Sequence, residues 1–226
     1  MDLYVHPTAL VESESIGAAT RIWAFAHVLA GARIGSNCNI GDHSFIEGGA
    51  VIGNNCTIKN GNMIWEGITL EDGIFVGPGV IFTNDPHPRS PRLPPAQERY
   101  KHKLNWLAPT RVCCGATLGA GAVILPGLVI GEYATIGAGA VVTKSVPDYG
   151  LLVGNPGKLI GWVCQCGQKL RFFAGAASCG DCLARYRMGV SGAHLESTDN
   201  DVALAALQRI EPQRTVRRAK AVGASD

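Results

Sequence analysis

Four cysteines, Cys164, Cys166, Cys179 and Cys182, form a CxC and a CxxC separated by 12 residues, with Gly167 and Gly180 each directly behind a cysteine. Four thiolates can close a tetrahedron around one zinc ion, in the manner of a zinc ribbon. The tight first pair departs from the usual CxxC knuckle, and reduced free thiols are the alternative. A second group is tied together by spacing. Glu47, Trp65 and Thr83 lie 18 residues apart, as do Glu66 and Asn84. A carboxylate, an indole and an amide on one ridge can bind a sugar by hydrogen bonds and stacking. The same residues could serve only as a solvated or packing surface.

The spacing of 18 has a source in the chain itself. In steps of six from Leu10 the sequence reads Ile16, Ile22, Val28, Ile34, Ile40, Ile46, Ile52, Ile58, Ile64, Leu70, Val76 and Phe82, and it resumes as Val112, Leu118, Ile124, Ile130, Ile136 and Val142. A period of six suits neither a 3.6-residue helix nor a hairpin meander, but it is the hexapeptide pattern of a parallel β-helix. Three hexapeptides make one triangular coil, so residues 18 apart stack on adjacent coils. Small residues four positions after the apolar one, among them Thr20, Ala26, Ala32, Cys38, Ser44, Ala50, Cys56, Ala116, Ala122, Ala134 and Ala140, are expected to fill the corners. Cys38 and Cys56 should then stack as buried, inert thiols. Glycines directly after the apolar residue, as at Gly35, Gly53 and Gly119, are expected to permit sharp turns.

Composition agrees with this class. The 226 residues include 29 glycines, well above the usual frequency of about 7%, while 46% of residues are hydrophobic and 17% charged, which excludes disorder. A net charge of +2 gives no reason to expect DNA or RNA. Residues 1–10 lack a secretory pattern, no apolar run is long enough to span a bilayer, and eight cysteines in such a chain point to a reducing, cytoplasmic setting.

Between Phe82 and Val112 the repeat gives way to NDPHPRSPRLPPAQERYKHKLNW, with five prolines, expected to be a loop over about 84–110 thrown out from one corner. The reading is therefore all-β: a β-helix over 1–160, a small zinc-ribbon-like unit over 161–190, and a flexible tail over 191–226. The tail includes a short helical candidate at 201–210 and a basic stretch at 214–220.

Four blocks, TRIWAFAHV at 20–28, HSFIE at 43–47, TIKNGNMIWEGITLEDGIFVGPGVIFTND at 57–85 and VGNPGKLIGW at 153–162, together resemble the bacterial N-acetyltransferases that modify a 3-amino-3-deoxy sugar attached to UDP or dTDP. The likeness covers residues 5–160. It implies a left-handed coil, which the repeat pattern itself does not give and which runs against the general right-handed rule for parallel crossovers. It also implies a homotrimer with active sites between subunits, to which Trp23 and Trp65, expected to be exposed, would contribute. Acetyl-CoA is the implied co-substrate, lying along a groove at the Gly-Ala pairs Gly121–Ala122 and Gly139–Ala140. Lys144 and Lys158 would meet its phosphates, and Asn155 and Pro156 would form the turn on its adenine side. The acceptor would be held by Glu47, Trp65, Glu66 and Asp85, with His27 and Lys59 as nucleotide or carboxylate contacts. The product would serve a bacterial surface glycan such as lipopolysaccharide O-antigen.

Acetyl transfer to an amine needs a neutral amine, a donor for the developing oxyanion and an acceptor for the amine proton. The resemblance implies no protein base, an asparagine beside the amine and proton transfer to the departing CoA sulfur. Asn84 matches that asparagine; His87, three residues later, is the alternative base. Other readings on this scaffold are a γ-type carbonic anhydrase, an acyltransferase for a free amino sugar, amino acid or hydroxyl, and a non-catalytic β-helix. The first lacks suitably placed histidine pairs among His6, His27, His43, His87 and His102.

Overall fold

The computed structural model describes residues 2–198. It is a three-sided prism whose faces, here A, B and C, are parallel sheets built from strands mostly two residues long. Face A carries eight strands in parallel register, from Tyr4–Val5 to Gly150–Val153, and each marks a new coil. The chain runs from face A around the AB corner to face B, then around the BC corner to face C.

Each short strand presents one outward residue followed by one inward residue, as the alternation of strand side chains requires. In Asn39–Ile40, Thr57–Ile58 and Phe75–Val76 the second residue is wholly buried and the first is not. The inward residues stack into one continuous core, with Ile22, Val28, Ile40, Ile46, Ile58, Ile64, Leu70 and Val76 all fully buried. Each such side chain contributes roughly 1.5–3 kcal/mol of burial before ordering costs. The small corner residues, including Cys38 and Cys56, are buried as expected, and the Cys38 thiol donates to Gly53 O at 3.0 Å.

Two expectations about the repeat are corrected. Leu10 is exposed, and it is Val11 that aligns with Val28, so the inward ladder of the first coil starts one residue later than the six-step count. The glycines directly after the apolar residue do not supply left-handed turns. At Gly119 a Cβ would lie 2.5 Å from Ala138 N on the next coil, so close stacking excludes a side chain there. The left-handed residues fall two positions later, as at Gly121 with φ of +66°.

The insertion leaves the BC corner after Ile81–Phe82 and returns at Thr110–Val112. It is more ordered than a plain loop, with a helix at Pro94–Tyr100 and a 3₁₀ turn at Lys103–Asn105. The C-terminal unit differs from its expected bounds at both ends. The strand Lys158–Val163 continues face A antiparallel to Gly150–Val153 across the expected boundary at 160, and Gly192–Ser197 is a strand paired with Arg185–Gly189 rather than the start of a tail. The helical candidate at 201–210 and the basic stretch at 214–220 lie outside the described residues. Among the described residues no helix is long and apolar enough to cross a membrane.

Candidate active site

The BC corner assembles the acceptor candidates because the stacking of coils converts a sequence spacing of 18 into contact. Glu47 Oε2 accepts the backbone N–H of Glu66 at 2.7 Å, and Asn84 Nδ2 donates to the Glu66 carbonyl at 3.2 Å. That carbonyl can only accept, so the amide orientation of Asn84 is fixed and Oδ1 is its acceptor atom. Thr83 closes the next step, its hydroxyl donating to Ile124 O at 3.0 Å. Trp65 is half-buried rather than exposed, packed against the core with its ring 5.5 Å from that of Phe45. Trp23 is likewise half-buried, its indole N–H donating to Asn39 Oδ1 at 2.8 Å.

The insertion folds back onto this ridge. Ala108 N donates to Asn84 O at 2.9 Å, Thr110 N donates to Gly67 O at 3.1 Å, and Lys103 pairs with the Glu66 carboxylate. Asp85 is the anchor of the insertion and not an open substrate contact. Its carboxylate accepts from Tyr100 Oη at 2.6 Å, from His87 N at 2.9 Å and from Arg99, and its side chain is only 11% exposed. Burial pushes the Asp85 carboxyl up, but the hydrogen bonds from Tyr100, His87 N and Arg99 outweigh it and hold the group below the usual carboxylate range. His87 is exposed and lines a cavity of 520 Å³ within the insertion, together with Arg89, Leu93 and Arg99. Lys103, Arg99 and Tyr100 were missing from the sequence candidates. The signal for the helix that carries Arg99 and Tyr100 was present in Pro94-Pro95 followed by helix-tolerant residues, since proline favours the first helical turn.

Two acceptor candidates are not on this ridge. His27 sits on face B in register with Phe45, Met63 and Ile81, three coils from the level of Asn84, about 14 Å along the axis at 4.8 Å per coil. Its ring bonds Glu12 at 3.2 Å. Lys59 follows the face A strand Thr57–Ile58 and therefore lies at the AB corner, its ammonium 5.9 Å from the Phe75 ring centroid.

The AB corner gathers most of the cofactor candidates. Gly121 and Gly139 have φ of +66° and +67° with open space beside them, whereas the side chains of Ala122 and Ala140 are fully buried in the core and cannot touch a surface ligand. The turn at Asn155 and Pro156 is pinned to the same corner: Val141 N donates to Gly154 O at 3.0 Å and Gly157 N donates to Val141 O at 2.7 Å. Lys158 leaves this turn at the start of the strand Lys158–Val163 and is exposed. Lys144 stands apart from it. The register that aligns Ile81, Val123 and Val141 puts Lys144 at the BC corner, two coils from Asn84, about 10 Å along the axis. The two corners themselves are separated by the five residue steps from Gly121 to Pro126, at most about 18 Å.

Beyond the last coil, the Sγ atoms of Cys164, Cys166, Cys179 and Cys182 all lie within 4.8 Å of one another. No other group of metal-ligating side chains of this kind is found among the described residues.

The family described as bacterial transferase hexapeptide (six repeats) matches residues 15–48 and 109–144. A dTDP-3-amino-3,6-dideoxy-α-D-galactopyranose 3-N-acetyltransferase from Aneurinibacillus thermoaerophilus is 50% identical over 184 residues, 81% of this chain and 90% of that protein. A galactoside O-acetyltransferase from Lactococcus lactis is 35% identical over 89 residues, covering 39% of this chain and 40% of that protein. Among solved structures, an N-acyltransferase from Bacillus cereus in complex with dTDP and 3-hydroxybutyryl-CoA aligns with 71% of this chain and 79% of its own, at 20% identity and a TM-score of 0.48. The hexapeptide coils, the ridge at the BC corner and an identity of 50% sustained over nine-tenths of a relative lead to one assignment: the chain belongs to the hexapeptide-repeat nucleotide-sugar N-acetyltransferases.

Proposed function

We propose that this enzyme moves the acetyl group of acetyl-CoA onto the 3-amine of a dTDP-linked 3-amino-3,6-dideoxyhexose. The observation that carries the reading is the extended similarity to an enzyme of that name, which spans both the ridge and the cofactor corner. The amine is held by Asn84 Oδ1, which accepts one of its N–H bonds and turns the nitrogen lone pair toward the thioester carbon. An amide cannot take the proton at neutral pH, so the role of Asn84 is orientation. The amine proton passes to the departing CoA sulfur. Glu47 acts through the Glu66 backbone, and Trp65 provides an apolar wall for the sugar.

One subunit carries the acceptor ridge and the cofactor corner on opposite edges of face B. A site shared between neighbouring subunits of a homotrimer lets the ridge of one meet the AB corner of the next. The exposed outward row of Leu10, Met63 and Ile81 on face B supports such packing. Acetyl-CoA supply and eight unpaired cysteines fit the cytoplasm, and a role in building a bacterial surface glycan follows from the substrate class.

Replacing Asn84 by Ala should lower kcat by roughly 10²- to 10³-fold, as for one well-placed transition-state contact, with acetyl-CoA affinity unchanged by calorimetry. Normal turnover in that variant would remove Asn84 from the mechanism.

A further inference from the structure

The four-cysteine cluster takes no part in the chemistry above, yet it is built like a ligand set. Cys164 and Cys182 Sγ are 3.3 Å apart, and Cys166 and Cys179 Sγ are 3.5 Å apart. Four sulfurs at about 2.3 Å from one zinc ion stand about 3.8 Å from each other, so the cluster needs only small adjustments to close on a metal. None of the four is in a disulfide. The surroundings are those of a ligating sulfur. Tyr186, fully buried, accepts the backbone N–H of Gln165 at 3.0 Å, which leaves its own O–H to donate to Cys164 Sγ at 3.1 Å. A donor aimed at sulfur orients a metal-bound thiolate and offsets its charge. The cysteines also come from two separate sheets. Cys164 and Cys166 lie between the last two strands of the sheet of face A, Lys158–Val163 and Lys169–Leu170, while Cys179 and Cys182 lie between strands of the three-stranded sheet that ends the described chain.

That strand, Lys158–Val163, is the link to the active site. It begins at the Asn155–Pro156 turn and ends directly before Cys164, and its last residue donates to Tyr149 O at 2.8 Å. Tyr149 in turn stacks on Tyr133 of the last full coil and meets the Tyr186 ring edge-on at 5.2 Å. We propose that Cys164, Cys166, Cys179 and Cys182 bind one zinc ion per chain, and that this ion fixes the strand that presents Lys158 and the Asn155 turn to acetyl-CoA. Zinc is here a tie rather than a reactant: it joins the two sheets, and the tie sets the position of groups at the AB corner. The second half of the proposal rests on the cofactor assignment made above; the first half does not.

The full chain, purified without added zinc, is assayed for metals and titrated with acetyl-CoA alongside Cys179→Ser/Cys182→Ser and Cys166→His. Wild type should carry one zinc per chain. The double variant should lose it, keep the far-ultraviolet signature of the β-helix, and bind acetyl-CoA about tenfold more weakly, within the usual range of coupling between sites. Cys166→His, which retains a Cys₃His set, should keep both zinc and affinity, and it decides the matter if the double variant does not fold. Wild type without zinc, or with another metal in its place, overturns the site, as does full zinc in the double variant. A zinc-free double variant with wild-type acetyl-CoA affinity overturns the coupling. Wild type that holds zinc but does not bind acetyl-CoA would contradict the acetyltransferase reading and leave the metal site standing.

Discussion

At the scale of single residues, the solenoid makes sequence spacing a direct measure of proximity. Glu66 and Asn84, 18 apart, are hydrogen-bonded, and Glu47 reaches the backbone of Glu66 one coil away. The same arithmetic separates Lys59 from the ridge, because it follows Glu47 by 12, two-thirds of a coil, and so falls at another corner. What spacing does not reveal is what occupies a side chain already. Asp85 falls next to Asn84 in sequence, but its oxygens are taken by Tyr100, Arg99 and His87 N from a segment outside the repeat. His87 points into the insertion's own cavity with its backbone tied to that clamp. His87→Ala should therefore change kcat/KM by less than about threefold, and the pH profiles of wild type and variant should rise with amine deprotonation alone. A second ionising limb in the wild-type profile that disappears in the variant would make His87 the base instead.

At the scale of elements, the insertion is held to the prism by few groups, and Asp85 is the chief one. Its depressed pKa carries a defined sign: the stabilisation is present above the unfolded carboxyl value of about 3.9 and is lost as pH falls through the lower folded value. The clamp should thus remain closed throughout the neutral range. Asp85→Asn keeps the shape and removes the charge, and it should increase cleavage at 86–105 in limited proteolysis and lower kcat/KM at least about tenfold through the ridge contacts of Ala108 and Lys103. An unchanged digestion pattern would show that the other contacts suffice. Coil stacking is stricter. Gly119→Ala places a Cβ against Ala138 N, with no flexible side chain to yield. It should cost about 1–3 kcal/mol as an overpacking change, read as a lower thermal midpoint, whereas Gly61, where a Cβ would have open space but a left-handed φ, should respond through backbone strain alone. The hexapeptide ladder was legible because every coil repeats one packing problem. The helix at Pro94–Tyr100 was signalled only at its start, by Pro94-Pro95, and the strand Gly192–Ser197 not at all, because neither belongs to the repeat and the strand exists through its pairing with Arg185–Gly189.

At the scale of the whole molecule, the proposed enzyme is a shared-site trimer that acetylates a nucleotide-linked amine. The separation of the two corners across face B has a consequence for mixtures. Asn84→Ala and Gly139→Trp, each inactive alone, should regain part of wild-type activity when unfolded together and reassembled, because some interfaces then combine two intact halves; no recovery would place the whole site within one subunit. Light scattering of active enzyme should give three chains, and an active monomer would contradict the shared site. The central claim is tested most directly by one measurement: steady-state acetylation of dTDP-3-amino-3,6-dideoxygalactose, the corresponding UDP sugar and the free amino sugar, each with acetyl-CoA. The account predicts turnover with the dTDP sugar, a product blocked at the 3-amine, and kcat/KM at least about a hundredfold lower for the free sugar, which forgoes the binding energy of the nucleotide. Equal turnover of the free sugar, or no transfer to any of the three, would contradict it.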